Sequence, residues 1–215
     1  DDYWSTLSLG FIAGTAPDVF TNHLAKTAEF IRNGVLADLA PLIARDRVDT
    51  GVYEPGLIEP WQHEGRSYAL PADWDTVALI VNLDMAGAAG VTLDQLRSLT
   101  WNPRDGGSFA RVVARLSVDD AGRRGDEPGF NAQRVRVHGY QTPGSGGMFG
   151  QTEWSHFAAT AGFRFQARPW DPALRYDDLA LVDTITWLAT LTGRGWSATS
   201  AAMGKMGADA MFTSQ

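Results

Sequence analysis

Several stretches carry apolar residues at helical spacing. Leu24, Thr27, Ala28 and Ile31 fall at i, i+3, i+4 and i+7, which predicts a helix capped by Thr21 or Asn22 and closed by Gly34. Ser108 precedes Phe109, Val112, Val113 and Leu116 at the same spacing. Thr92-x-x-Gln95 is a capping-box pattern, in which side chain and backbone satisfy each other at a helix start. Thr152 is placed to cap a helix presenting Trp154, Phe157, Ala158 and Ala161 on one face and ending at Gly162. A longer helix is predicted from about Asp178 to Thr192, with Leu181, Val182, Ile185, Leu188 and Ala189 inward and Gly193 after it.

Other stretches read as extended chain. Ala16 to Phe20 is a short apolar strand candidate after Gly14. Trp61 to Pro71 reads as two short extended pieces around a Glu64-Gly65 turn. Thr76 to Asn82 is a continuous apolar run, the pattern of a strand buried on both faces. Val135 and Val137 alternate with Arg134, Arg136 and His138, the pattern of a half-exposed strand. Residues 119–131 read as a charged, Gly-rich surface loop, and Pro143 to Gly150 as a second Gly-rich loop. Met211 to Gln215 looks like the start of a further strand. Strands alternating with helices define an α/β chain.

Composition narrows the function. The 215 residues hold 18 Lys plus Arg against 25 Asp plus Glu, a net charge of −7, which argues against a basic nucleic-acid footprint. No apolar run reaches the ~18–20 residues of a membrane-spanning helix. The absence of cysteine removes disulfides, thiolate metal ligands and Cys nucleophiles. Eight tryptophans suggest a core plus an aromatic-lined binding surface, with core packing the simpler reading for any single one. The chain opens on Asp1 and closes on strand-like residues, so it reads as an internal piece of a longer protein.

Several chemistries lack their residues. His23, His63, His138 and His156 are scattered, with no metal-ligand spacing between them. Asp119, Asp120, Asp126 and Glu127 share a loop with Gly122 and Gly125, but their spacing misses the helix-loop-helix calcium pattern, so a solvated acidic loop is expected. The Gly-rich stretches lack the Lys-Ser/Thr of a phosphate loop, and no Gly-x-Ser-x-Gly nucleophile turn occurs.

The order of short motifs points to a family. Gly14-Thr15-Ala16-Pro17-Asp18-Val19 is followed by Gly34 to Leu39, Gly65-x-x-Tyr68-Ala69-Leu70-Pro71, Leu79 to Asp84, and Ala89-Gly90. Trp101-Asn102-Pro103, Asp105-Gly106-Gly107, Gly122 to Phe130 and Lys205-x-Gly207-x-x-Ala210-Met211 continue the series. Together they resemble the extracellular solute-binding proteins of carbohydrate ABC importers, family 1, the maltose-binding type. The resemblance implies a two-lobed, periplasmic-binding-protein-like (type II) α/β fold, incomplete here at both ends. Residues 1–77 would supply part of lobe one and 78–215 part of lobe two, with the hinge crossing near 76–84. It also implies a non-enzymatic receptor that closes on a mono- or oligosaccharide and delivers it to membrane permease subunits. Such a receptor works outside the cytoplasmic membrane, tethered as a lipoprotein through an upstream segment, as a monomer and without a cofactor.

The resemblance directs attention to three groups of residues. Asp75 with Trp74 precedes the crossing strand, where the family places a sugar-contacting acid. Asn22 and His23 occupy a strand-to-helix turn, where Asn22 could equally serve as a helix cap. Phe149, Gln151, Glu153 and Trp154 follow the Gly146-Gly147 loop, with Trp154 also suited to a helix core face. The chemistry suits sugars: carboxylates and amides bond paired hydroxyls, and flat rings cover C–H faces. Two alternatives remain. Abundant carboxylates and aromatics also suit a glycoside hydrolase, which would need two facing carboxyl groups. The same clamp could hold a polyamine, a metal chelate or a peptide.

Overall fold

The computed structural model describes residues 2–142, 147–168 and 170–213. Helix dominates. The sheet found among the described residues is two short antiparallel pairs. The chain divides into two compact units, Asp1–Asp75 with Arg168–Pro172, and Thr76–Ala167 with Ala173–Gln215.

The first unit opens with α1 (Asp2–Ala13), which buries Leu7. α2 (Leu24–Arg32) buries Thr27 and Phe30, one turn apart on one face. Phe11, Phe20 and Phe30 meet edge-to-face at 5.4–6.1 Å and fasten α1 to α2. Residues 16–20 make this aromatic contact through Phe20 and form no strand. The N-cap of α2 is His23, beyond the expected Thr21 or Asn22. His23 Nδ1 accepts from Ala25 N at 3.1 Å, while Asn22 Oδ1 accepts from His23 N and its Nδ2 donates to Thr27 Oγ1. α3 (Ala40–Asp46) then leads to β1 (Gln62–His63) and β2 (Arg66–Ser67), paired around the expected Glu64-Gly65 turn. Asp38 ties α3 to this hairpin: its Oδ1 accepts from Ala40 N and from Ser67 N.

The expected strand over Thr76 to Asn82 does not form. Residues 71–82 have neither helix nor ladder, and Val77, Leu79 and Ile80 are exposed, Ile80 by 82%. An apolar run specifies that a segment be covered, but a strand also needs neighbours with free edges. Among the described residues no strand pairs with it.

The second unit runs through α4 (Leu83–Ala88), α5 (Leu93–Arg97), α6 (Gly107–Leu116), β3 (Val118–Asp119), β4 (Val135–Val137), α7 (Ser155–Thr160), α8 (Leu179–Gly193), α9 (Ser200–Met206) and α10 (Ala208–Thr213). α5 carries the full capping box between Thr92 and Gln95. Asp178 caps α8 at Ala180 N. α7 starts two residues later than a Thr152 cap predicts, and Trp154 occupies its N-cap with no side-chain bond. Met211 to Thr213 belongs to a helix, not to a strand. With Asp209 in the first turn and small Ala208 and Ala210, local propensity favours helix here.

Phe109, Ala110 and Val113 of α6, Phe157 of α7, and Trp187 and Leu191 of α8 form the main core, flanked by Trp101 and Tyr140. Ring pairs at 5.0–6.0 Å make this core largely aromatic. Burial pushes the Tyr140 phenol well above its ordinary range, so it stays neutral. Several of the eight tryptophans are therefore used in packing.

The acidic loop is organised from within. Asp119 is 1% exposed, not solvated. Its Oδ1 accepts from Ala121 N and Arg123 N, and its Oδ2 from Asn131 N and Arg123 Nε. Asp120 pairs with Arg134, and Asp126 and Glu127 with Arg115. Among the described residues no group of three or more His, Asp or Glu gathers to hold a metal.

Candidate functional site

Pro71 to Asp75 leaves the hairpin of the first unit as irregular, increasingly exposed chain. Without a ladder to hold them, successive side chains stand in solvent. Trp74 is 64% exposed, and neither it nor Asp75 has a hydrogen bond, ion pair or ring contact among the described residues. An indole is normally drawn into a core or given a partner for its N–H. An uncovered Trp flanked by Asp73 and Asp75 instead offers a flat apolar face beside acceptors that make no internal bond. Such groups can cover an apolar face and accept from hydroxyls.

Asn22 and His23 lie in the same unit, but their side chains are occupied in the turn that starts α2. Their local bonds satisfy the first N–H groups of the helix. A ligand here competes with the cap.

The second unit holds Phe149, Gln151, Glu153 and Trp154. Pro143 to Gly146, the start of the Gly-rich loop, lies outside the described residues. Gly150 takes a positive φ of 54°, and a Cβ there would collide with the Trp154 indole. The indole is thereby seated on bare backbone. Its ring packs among Phe163, Phe165 and Tyr176 at 5.6–6.4 Å. Phe149 joins the same cluster edge-to-face on Phe165 at 5.4 Å, and Tyr176 Oη donates to the Met148 carbonyl at 2.7 Å. Gln151 is exposed, and the Glu153 carboxylate makes no internal bond among the described residues. Trp154 and Phe149 thus shape this turn while Gln151 and Glu153 carry its free polar groups. His156 follows at the start of α7. Burial pushes its imidazole below the usual histidine range, partly offset by its bond to the Gln151 backbone.

A model of the bacterial extracellular solute-binding protein family matches residues 1–214. The chain belongs to that family. Within the solute-binding proteins, the arabinooligosaccharide-binding protein of Bacillus subtilis (strain 168) is 31% identical over 99 residues, 45% of this chain and 22% of that protein. M. tuberculosis UspC superposes with a TM-score of 0.65 at 27% identity, over 88% of this chain and 44% of that one. The ABC substrate-binding protein Lmo0181 from Listeria monocytogenes, solved with cycloalternan, superposes with a TM-score of 0.74 at 20% identity, over 99% of this chain and 49% of that one. The fold is therefore that of the solute-binding proteins. The chain spans half or less of the length of these relatives.

Two features of this solute-binding chain escape sequence patterning. Tyr176 closes the ring cluster around Trp154 from 22 residues away. Trp170, a member of the second stretch of the first unit, contacts His63 across more than 100 residues of chain. Neither pairing has a local spacing that could reveal it.

Proposed function

We propose that this chain is the ligand-contacting part of an extracellular carbohydrate receptor that passes its sugar to the permease subunits of an ABC importer. The observation that carries the reading is Trp74, uncovered and without a ring partner, between two carboxylates that make no internal bond. Family membership and the sugar ligands named for two relatives support it. In this reading Trp74 covers the C–H face of a sugar ring, and Asp75 accepts from its hydroxyls. Gln151 and Glu153 offer equivalent groups on the second unit. Residues 1–77 contribute to one lobe and 78–215 to the other, and the sugar shifts the population toward the closed form by its differential affinity. The receptor binds without breaking the glycosidic bond.

The test is titration of the full-length protein with arabinotriose, maltotriose and a panel of other oligosaccharides, followed by tryptophan fluorescence and calorimetry. Saturable binding of at least one sugar, recovered intact by chromatography, is expected. Silence across the panel overturns the reading. Cleaved sugar would instead identify a hydrolase.

A further inference from the structure

The first unit carries an open surface depression of about 370 Å3 over the β1–β2 hairpin, comparable in volume with small-molecule pockets of ~300–1,000 Å3. Glu59, His63, Glu64, Arg66, Ser67 and Trp170 line it. None of these residues belongs to the groups discussed for Trp74 or for the Gly150 turn. The walls combine one flat indole, one imidazole, two carboxylates and one guanidinium.

Long-range contacts build this pocket. Trp170 Nε1 donates to the Gln62 carbonyl at 3.0 Å, and its ring lies 4.3 Å from the His63 imidazole at 39°. The indole is thus held at both its polar atom and its face. Trp170 also adopts φ 65°, and Glu64 φ 51°, backbone conformations that L side chains rarely take. His63 Nε2 stands 3.8 Å from the Glu64 carboxylate, which is 81% exposed. Asp38 and the Tyr68 phenol flank the Arg66 guanidinium. Ser67, 4% exposed, has a buried hydroxyl with no hydrogen-bond partner among the described residues. A buried hydroxyl left unanswered costs free energy, and this one lies beneath the hairpin rather than on the open wall of the pocket.

The electrostatics select the ligand. Two carboxylates oppose an anion, and Arg66 beside them opposes a simple cation. A neutral guest with many hydroxyls satisfies all three, donating to Glu59 and Glu64 and accepting from Arg66. The indole supplies a face for ring C–H groups. We propose that this hairpin pocket is a second carbohydrate site, which holds one ring of a sugar separately from Trp74 and Asp75. The inference shares its ligand class with the proposed function but stands on a different set of residues.

The full-length protein, labelled with a heavy nitrogen isotope in its tryptophan indoles, is titrated with arabinotriose and with maltotriose and read by NMR. Trp170→Phe and Trp74→Phe identify the two reporter signals. The Trp170 signal is expected to move along a saturating curve with at least one of the two probes. Glu64→Gln, at an exposed position that leaves folding intact, is expected to weaken that curve about tenfold, as loss of a charged hydrogen-bond partner does. Movement of Trp74 while Trp170 stays fixed overturns the pocket and leaves the receptor reading standing. Movement of Trp170 along a straight, non-saturating line overturns it as well, as does an unchanged curve for Glu64→Gln. Immobility of every indole signal with both probes overturns the pocket, while the receptor reading stands or falls by the wider oligosaccharide panel.

Discussion

Arg123 grips Asp119 twice: its backbone N–H donates to Oδ1 and its Nε to Oδ2, both at 2.9 Å. Burial opposes the charge on Asp119, but the N–H groups of Asn131 and Arg123 and the guanidinium outweigh it and hold the carboxyl at about 2. The loop from 119 to 131 folds around this one anion.

Removal of the anion should therefore cost more than removal of its neighbours. Asp119→Asn is expected to lower the Tm more than Asp120→Asn, Asp126→Asn or Glu127→Gln, each of which loses an exposed pair worth little. Because the folded carboxyl is depressed below its ordinary 3.8, its contribution is complete above that value. It is lost as pH falls from about 4 through about 2, and thermal melts across this range should flatten in Asp119→Asn.

His156 acts at milder acidity. Its folded pKa lies below the ordinary 6.5, so the unfolded chain takes up the proton first. Stability is full above 6.5 and declines as pH falls below it. His156→Phe keeps a ring in this buried place and removes the titrating group, together with its bond to the Gln151 backbone. The variant should lose the slope of Tm between pH 7 and pH 5 that the wild type shows.

Gly106 lies at the N-cap of α6 with φ 78°, and a Cβ there would collide with the Trp187 indole. Gly106→Ala combines an unfavourable backbone with overpacking, for an expected loss of about 2–4 kcal/mol in denaturant unfolding. Gly122, also at positive φ but with open space around it, should lose only about 1 kcal/mol on the same change.

Phe157 touches Trp101, Phe109, Tyr140 and Trp187. Phe157→Ala empties the middle of the aromatic core and should destabilise the second unit by about 3–5 kcal/mol. Unfolding followed by near-ultraviolet dichroism reports the loss.

For binding, Asp75→Ala is expected to weaken the best sugar about tenfold or more, whereas Asp120→Ala, committed to Arg134, leaves the affinity unchanged. Calorimetric titration of both variants checks this. Equal curves would remove Asp75 from the site.

Local chemistry made much of the molecule readable. The periodicity of Phe109, Val112, Val113 and Leu116 placed α6, the Thr92–Gln95 pair placed α5, and Glu64-Gly65 placed the β1–β2 turn. Asp178 and Gly193 bounded α8. Each rests on interactions within about four residues, which a sequence states directly. The order of motifs carried the family for the same reason. Tertiary structure alone decided what those elements face. Thr76 to Asn82 has the apolar content of a buried strand, yet pairing depends on an edge supplied from elsewhere. The charges of residues 119–131 predict a solvated loop, yet the backbone folds back to enclose Asp119. Trp74, Trp154, Trp170 and Trp187 are the same residue in four settings: exposed, in a ring cluster, on a pocket wall and in the core. An indole has affinity for any apolar or hydrogen-bonding surface, so only the long-range path of the chain determines which surface it meets.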